Sequence, residues 1–314
     1  SLFYGITGSF STYVTALQIG SSTSSRLLIT SFIFVLAGIL FKLSAFPFHI
    51  WAPDIYEETP DSILAFLSVN KVIGFCILTN LFGVFSHFYE DYISLFSCIG
   101  IITLVIGNLS ALKQKNLKRL LGYSTISQTG FILMGMVNNT PFSQSAVIYY
   151  LILYILLSFA TFYFANLCFK TSNSYEIDRF AGMGNRYSLL GIAGIVLFAS
   201  LTGLPPSAPF IGKFFLFTAA WETYTLIHNH FILTFVLVAL ITTIVSLFYY
   251  FKTPYYFFVR KQHTDYNLNI DRKHYIFLII LSASQLLLFF SGKQVVDFIL
   301  ELTKIDFNSQ LYSY

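Results

Sequence analysis

Residues 200–217 read SLTGLPPSAPFIGKFFLF, an apolar stretch that is interrupted by prolines and followed by a lysine. The prolines are Pro205, Pro206 and Pro209, and the lysine is Lys213. Proline removes a backbone hydrogen-bond donor and clashes with the preceding helical turn. At membrane depth, non-helical backbone survives only where protein or a water-filled cavity satisfies its polar groups. The stretch therefore predicts a broken transmembrane helix beside a polar interior.

A second stretch, FKLSAFPFHIWAPDIYEETP at 41–60, combines the same features. Here Lys42 precedes Pro47 within an apolar run. The two stretches also share a short match, SAFPF at 44–48 and SAPF at 207–210. Interrupted helices in corresponding places are typical of transporters built from inverted repeats. The pair of breaks therefore suggests two copies of one structural unit.

The composition of the whole chain agrees with a membrane location. Of 314 residues, 56% are apolar and 10% are charged, whereas an ordinary soluble domain carries about 25% charged residues. This balance excludes a water-soluble enzyme, a disordered tail and a nucleic-acid-binding protein, despite the net charge of +4. Cys76, Cys98 and Cys168 are far apart and show no CxxC spacing. That pattern excludes a disulfide framework, a zinc site and a cysteine-ligated cluster.

A helix needs roughly 20 apolar residues to cross a bilayer core. Scanning with that length predicts an all-α transmembrane bundle. Eight spans are expected, at about 27–51, 61–86, 92–111, 119–137, 144–169, 187–221, 231–251 and 275–291. After the last span, the segment 292–307 places apolar residues at helical intervals. It fits either an interfacial amphipathic helix or an extension of the last span.

Basic residues are distributed unevenly between the two sides of the predicted bundle. Twelve of the 18 lysines and arginines fall in three loops on one side, three lie on the other side and three lie inside spans. The twelve are Lys113, Lys115, Lys118, Arg119, Lys170, Arg179, Arg186, Lys252, Arg260, Lys261, Arg272 and Lys273. The positive-inside rule predicts that these loops face the matrix or cytoplasm and that both chain ends face the opposite compartment.

Three lysines lie inside predicted spans: Lys42, Lys71 and Lys213. A charge at the bilayer centre costs at least about 2.5–3.5 kcal/mol on insertion scales. A structural lysine paired with a carboxylate from elsewhere is one interpretation. The other is a proton carrier, because lysine can lose its proton on burial whereas arginine stays charged.

Other polar residues give weaker signals. His49 ends the first span near Trp51, so an interfacial anchor is a simpler role than a histidine on a proton path. Gln128, near the start of the fourth span, fits either a water-lined path or a hydrogen bond between helices. The carboxylates that follow the first span are expected to form a solvated face: Glu57, Glu58 and Asp61.

Three segments resemble the antiporter-like membrane subunits of respiratory complex I. They are the two broken stretches quoted above and KNLKRLLGYSTISQTGFILMG at 115–135. The segments are similar to those of subunit 2 of mitochondrial NADH dehydrogenase and of its bacterial counterpart. Each is long and specific, they occur in the family's order, and the resemblance covers nearly the whole chain.

The resemblance implies two inverted five-helix repeats, each with a broken helix, and a proton path along a central polar axis. Lys42 matches the lysine of the first broken helix, Lys71 the central lysine and Lys213 the lysine of the second broken helix. Lys118 matches the basic residue of the KRLLGYS stretch, although an ordinary positive-inside lysine is the simpler role. Gln128 stands where relatives often have histidine, which puts a relay through that position in doubt.

The resemblance also implies how the chain is divided. Residues 1–20 would be the tail of a truncated helix and a loop, and 21–91 two helices left from the first repeat. Residues 92–252 would form the complete second repeat, and 253–314 a basic loop, the last transmembrane helix and an amphipathic segment. The first six helices of the family would be absent, including one with a glutamate that partners Lys42. A separate chain from a split gene would supply them, or the subunit is degenerate.

The expected function is that of a proton-translocating subunit in the membrane arm of NADH:ubiquinone oxidoreductase in the mitochondrial inner membrane. This chain would hold no cofactor, metal or redox centre. The resemblance places FMN, iron–sulfur clusters and ubiquinone in other subunits. Neighbouring membrane-arm subunits and lipids are the implied partners. The alternatives are a component of a stand-alone cation/proton antiporter and a structural subunit that has lost transport.

Overall fold

The structure is a computed structural model that describes residues 4–5, 8, 25–84, 89–138, 140–260 and 271–312. Within these residues the chain is helical, as the sequence predicts, with eleven helices longer than one turn. They are α1 Ser25–Leu43, α2 Trp51–Glu58, α3 Asp61–Val84, α4 Tyr89–Leu112, α5 Leu117–Gly135, α6 Pro141–Ser172, α7 Ser188–Thr202, α8 Ala208–Ile227, α9 His230–Tyr250, α10 Lys252–Phe258 and α11 Arg272–Tyr312. The predicted tail at 1–20 lies almost entirely outside the described residues.

Five helical segments are long and apolar enough to cross a membrane. They are Asp61–Gly83, Ile93–Leu112, Pro141–Ser172, His230–Phe258 and Arg272–Thr303. Helix α1 and helix α7 are apolar but shorter, and helix α5 carries many polar residues. The multi-pass architecture is therefore established, whereas the eight-span topology and the inverted repeats stay predictions.

Both proline-containing stretches interrupt a helix. Helix α1 ends at Leu43 and α2 begins at Trp51, so Pro47 lies between them. Helix α7 ends at Thr202 and α8 begins at Ala208, so Pro205 and Pro206 lie between those two, while Pro209 lies in the first turn of α8. The first turn of a helix tolerates proline because its N–H groups have no intrahelical partner.

The polar groups at the first break are satisfied by neighbouring helices. The backbone N–H of Phe46 donates to Thr103 Oγ1 on α4 at 3.0 Å. The carbonyl oxygen of Leu43 accepts a hydrogen bond from Thr129 Oγ1 on α5 at 3.1 Å. Buried backbone groups need such partners, so α4 and α5 make the break tolerable.

Helix α5 lies at the centre of the bundle, and nearly all of its residues are buried. Its N-terminus is capped by Asn116, whose side chain accepts hydrogen bonds from two backbone N–H groups of the first turn. Two glycines allow close packing of α5 against α4. A Cβ atom at Gly107 would lie 2.6 Å from the backbone nitrogen of Ser127, and one at Gly130 would lie 2.7 Å from Leu104.

The segment after the last predicted span continues helix α11 without interruption. Val296 and Ile299 are buried in an apolar cluster with Tyr149 and Leu153 of α6. Of the two interpretations of 292–307, the structure supports the extension rather than a separate interfacial helix. Part of the apolar face packs against the bundle, whereas Phe298 and Leu302 stay exposed at 62% and 48%.

Candidate functional site

Lys71 lies in the middle of α3 and is 2% exposed. Its Nζ atom donates to Thr125 Oγ1 on α5 at 3.1 Å and lies 5.9 Å from the centre of the Tyr56 ring. Thr125 in turn donates to the carbonyl oxygen of Gly122 at 2.8 Å. No carboxylate in the described part of the chain pairs with Lys71. A buried ammonium without a counter-charge is costly, so the position of Lys71 calls for an explanation.

Lys213 is the second buried lysine, on α8 just after the second break, and is 4% exposed. Its Nζ atom donates to the carbonyl oxygens of Thr202 at 2.8 Å and Leu201 at 3.5 Å, and lies 4.4 Å from the centre of the Phe131 ring. These carbonyls have no donor within α7, because the helix ends at Thr202. Gly203 makes the turn with φ +80°, and a Cβ atom there would lie 3.1 Å from Lys213 Cδ. Glycine therefore permits both the turn and the approach of the lysine.

Gln128, on α5, is 4% exposed and lies one helical turn after Thr125, the partner of Lys71. Its Nε2 atom donates to the Leu201 carbonyl at 3.3 Å and to the Tyr250 hydroxyl at 3.4 Å, and its Oε1 atom accepts from the Tyr150 hydroxyl at 2.5 Å. The Leu201 carbonyl is the same group that Lys213 contacts. An amide cannot carry a proton as histidine does, so Gln128 holds hydroxyl groups in place beside the Lys213 site.

A cavity lies beside α5 and is bordered by hydrogen-bond partners of both buried lysines, Thr125 for Lys71 and Leu201 for Lys213. Its polar lining comes from α5 and α6, and Leu201 and Pro209 of the second break also line it. The polar residues are Ser124, Thr125, Gln128, Tyr150, Tyr154, Ser158 and Thr161. Thr125 binds Lys71 at one side, and Gln128 shares a carbonyl with Lys213 at the other. A space with several hydrogen-bonding partners can hold water.

Lys42 lies near the end of α1 and is only half-buried. Its side chain runs past Gly74 of α3, and within the described residues Nζ makes no hydrogen bond or ion pair. His49, in the first break, stacks on the Phe46 ring with centroids 6.1 Å apart. Neither Lys42 nor His49 lines the cavity beside α5.

Lys118 and Asp61 differ from what the sequence predicts. Lys118 is not an ordinary loop lysine, because its side chain is 5% exposed and its Nζ atom lies 3.4 Å from Asp61 Oδ1. Asp61 is likewise 5% exposed, so the expectation that it belongs to a solvated face is wrong. The physical reason is packing. Helix α3 begins at Asp61 against the first turn of α5, and the two side chains bury each other.

Glu57 agrees better than Asp61 with the expectation of a solvated face. It is partly exposed and accepts a hydrogen bond from Arg119 Nη1 at 2.7 Å. Its other carboxylate oxygen accepts a hydrogen bond from Asn116 Nδ2 at 3.1 Å. Glu57 therefore links α2 to the start of α5 on an accessible surface.

The family described as NADH:quinone oxidoreductase/Mrp antiporter, transmembrane, matches residues 1–242. The NAD(P)H-quinone oxidoreductase subunit 2 of Crocosphaera subtropica is 36% identical over 84% of this chain and 50% of its own length. The NADH-quinone oxidoreductase subunit N of Desulforamulus reducens is 33% identical over 92% of this chain and 59% of its own length. The chain thus spans about half the length of the curated relatives it matches.

Solved structures give the same result for the fold. A chain of respiratory complex I from Thermus thermophilus with bound aureothin is 26% identical and has a TM-score of 0.75, over 94% of this chain and 63% of that chain. A chain of the Mrp complex from Dietzia sp. is 18% identical and has a TM-score of 0.83, over 96% of this chain and 63% of that chain. The second likeness shows the fold alone.

Proposed function

Because the chain belongs to the NADH:quinone oxidoreductase/Mrp antiporter transmembrane family, we propose that it is a proton-translocating membrane-arm subunit of NADH:ubiquinone oxidoreductase. In this proposal Lys71 and Lys213 exchange protons through water in the cavity between them. The charge on one lysine changes the proton affinity of the other, because interacting sites titrate as a coupled pair. Electron transfer in other subunits drives the cycle through electrostatics, and FMN, the iron–sulfur clusters and ubiquinone belong to those subunits.

The observation that carries the proposal is the set of neutral partners around the two buried lysines. Thr125 supports Lys71, and two backbone carbonyls support Lys213. Neither lysine has a carboxylate partner in the described part of the chain, so neither charge is cancelled in the resting arrangement. A structural lysine would be expected in an ion pair. Neutral polar partners suit a group that gains and loses a proton.

Lys42 would act with helices that the described residues do not include. Next to it, α1 and α3 present exposed apolar side chains, including Phe34 at 68% and Phe66 at 66% exposure. Exposed apolar faces of this kind contact lipid or another helix. We infer that further helices pack there and supply a carboxylate for Lys42, in addition to the neighbouring membrane-arm subunits.

The mitochondrial inner membrane is the proposed location. The unequal distribution of lysine and arginine supports a matrix position for the basic loops and an intermembrane-space position for the C-terminus. The high content of phenylalanine (36 residues) and tyrosine (21 residues) is consistent with an AT-rich organellar gene.

The test is proton pumping by the assembled complex in proteoliposomes, measured with a pH-sensitive dye after addition of NADH and quinone. Lys213→Met should lower the protons moved per NADH, while Lys293→Met, at an exposed position on α11, should leave the ratio unchanged. If Lys213→Met and Lys71→Met both pump as the wild type does, the chain is a structural subunit that does not translocate protons. Sodium-dependent transport without NADH oxidation would instead identify an antiporter component.

A further inference from the structure

One face of α9 is exposed and carries large apolar side chains that continue into α10. Phe251 has helical backbone angles and joins the two helices directly. The exposed positions are three or four residues apart, so their side chains form one stripe on the helix surface. This α9 stripe consists of Ile241, Ile244, Phe248, Phe251 and Tyr255, with exposed fractions between 37% and 71%.

The length of the α9 stripe matches one leaflet of a bilayer. From Ile241 to Tyr255 the helical rise is about 21 Å. A bilayer with its headgroup regions is about 40–45 Å thick, so one leaflet takes up about half of that. The stripe therefore reaches from the middle of the membrane to the headgroups on the side of the basic loops.

The opposite face of α9 packs inside the bundle and has a different composition. Ala239, Thr242 and Ser246 are buried there, again three or four residues apart. Contacts between helices in membranes are enriched in such small residues because they let the backbones approach closely. The α9 stripe contains no residue smaller than isoleucine. This contrast favours lipid, rather than a further helix, as the neighbour of the stripe.

A groove of about 550 Å³ opens where the α9 stripe reaches the basic loops. Its lining consists of Leu247, Phe248, Phe251, Lys252, Tyr255 and Tyr256. Tyrosine is enriched at the headgroup level of membranes because its ring is apolar and its hydroxyl is polar. The groove thus offers apolar surface, two phenol groups and one ammonium group at the depth of a lipid headgroup.

Further basic side chains surround this groove. Lys252 Nζ donates to the carbonyl oxygen of Gln114 at 2.7 Å, which brings the exposed Lys113 and Lys115 close to it. The guanidinium carbon of Arg260 lies 5.4 Å from the centre of the Tyr256 ring. Neither Lys252 nor Arg260 forms an ion pair within the described residues. An ammonium group has three donors, so Lys252 retains hydrogen-bonding capacity for a ligand.

Two exposed carboxylates lie in the same region. Asp178 interacts with Tyr256, and the backbone of Glu176 pairs with that of Asn116, next to Lys115. The four basic residues around the groove outnumber these two acidic residues. The groove therefore lies in a positively charged part of the surface and favours an anionic ligand.

We propose that the groove and the α9 stripe together bind one phospholipid with an anionic headgroup. Its phosphate contacts Lys252 and Arg260, and a guanidinium group can bind two phosphate oxygens at once. Its acyl chains lie along the stripe. Lysines and arginines next to a membrane helix attract anionic headgroups in this way. The inference goes beyond the proposed function and does not depend on it, because lipid binding requires no proton transfer.

The test uses the complex that contains this chain, purified and reconstituted into phosphatidylcholine vesicles. Two photoreactive lipids are compared at the same trace mole fraction: phosphatidylglycerol and phosphatidylcholine, each with a diazirine on one acyl chain. After illumination, mass spectrometry of peptides from α9 and α10 measures the labelling by each lipid. Phosphatidylglycerol should label the α9 stripe at least about tenfold more than phosphatidylcholine, since two cations contact its headgroup.

Charge variants identify the groups that bind the headgroup. Lys252→Gln and Arg260→Gln should each lower the preference for phosphatidylglycerol about fivefold, the factor expected for one basic residue at a membrane surface. Labelling by phosphatidylcholine should not change. Lys170→Gln is the matched control, because it removes an exposed lysine at the basic-loop end of α6 that does not line the groove. It should keep the preference of the wild type.

Two further comparisons separate binding from folding. Lys252→Gln also removes the hydrogen bond to the Gln114 carbonyl, whereas Lys252→Arg keeps the charge and should keep the preference. Arg260 is exposed, so Arg260→Gln should assemble normally and tests the site in an intact complex.

Three outcomes would overturn the inference. Equal labelling by the two lipids would mean that the α9 stripe faces lipid without recognising a headgroup. A lack of labelling by either lipid would mean that protein covers the stripe. A preference that survives both Lys252→Gln and Arg260→Gln would mean that other groups bind the headgroup. Proton pumping is measured separately, so failure of this inference leaves the proposed function standing, and the reverse also holds.

Discussion

Lys42 and Lys213 stand beside comparable helix breaks, yet their surroundings differ. Lys213 is buried, and its Nζ atom donates to two carbonyl oxygens that the end of α7 leaves free. Lys42 is half-buried, and within the described residues its Nζ atom has no partner. The first break satisfies its backbone through Thr103 and Thr129 instead. Lys213 therefore satisfies backbone carbonyls at the second break, whereas Lys42 contributes no hydrogen bond to the first break within the described residues.

Helix α5 connects the two breaks through neighbouring side chains. Thr129 binds the Leu43 carbonyl at the first break, and Gln128 binds the Leu201 carbonyl at the second. Residues that are adjacent in a helix point about 100° apart, since 3.6 residues make one turn. A single central helix can therefore contact both breaks. Within the described residues, α5 contributes a hydrogen bond to each break, but only the second break also binds its lysine.

The largest expected effect is that of Lys71→Met compared with Lys42→Met. Lys71 donates a hydrogen bond to Thr125, which lines the cavity, so in the proposed function its loss should lower proton pumping at least about tenfold. Lys42→Met should lower it less, because the described residues give Lys42 no link to that cavity. Dye-monitored pumping in proteoliposomes measures both, and an equal or larger loss for Lys42→Met would remove the distinction between the two breaks.

The next effect concerns the turns that form the breaks. Gly203 has φ +80° and Ser44 has φ 57°. Gly203→Ala should destabilise the protein by roughly 1–2 kcal/mol, the cost of a left-handed conformation for a residue with Cβ, and should also displace Lys213. Ser44→Gly should change stability by less than about 1 kcal/mol. Thermal inactivation of the complex compares the variants, and equal midpoints would show that the second turn does not depend on glycine.

Gln128→Leu and Thr129→Val test separately the hydrogen bonds that α5 makes to the second break and to the first break. Gln128→Leu leaves the buried Tyr150 hydroxyl without its acceptor and should cost about 1–3 kcal/mol. Thr129→Val removes one hydrogen bond at the first break and should cost about 1 kcal/mol. Only Gln128→Leu should also slow pumping, because Gln128 borders the cavity. A pumping defect in Thr129→Val with normal thermal stability would argue against this separation.

The smallest effect is expected for the accessible ion pair that anchors α2 after the first break. Glu57→Gln weakens its contact with Arg119, and a partly exposed pair contributes only about 0.2–1 kcal/mol. The loss should shrink further at high salt, since screening weakens exposed charges. Thermal inactivation at low and high ionic strength measures it. A large loss that is independent of salt would mean that this pair is buried in the assembled complex.

Several features follow from the sequence alone, because they depend on local patterns. The apolar runs predict the positions of α3, α4, α6 and α9 to within a few residues. The prolines predict where the two helices are interrupted. The lysines inside apolar runs stand out because charge is rare there. Each of these signals is contained in one segment and needs no knowledge of its neighbours.

The tertiary structure decided which of these residues meet. The sequence does not indicate that Asp61 and Lys118, 57 positions apart, form a buried pair, because either residue alone is typical of a solvated helix end. Nor does it indicate that Gln128 and Lys213 share the Leu201 carbonyl. Helical periodicity predicts a helix but not the direction in which each face points within a bundle. That direction is set by close packing between helices, such as the contact of Gly107 with Ser127, and it determines which polar groups form the site.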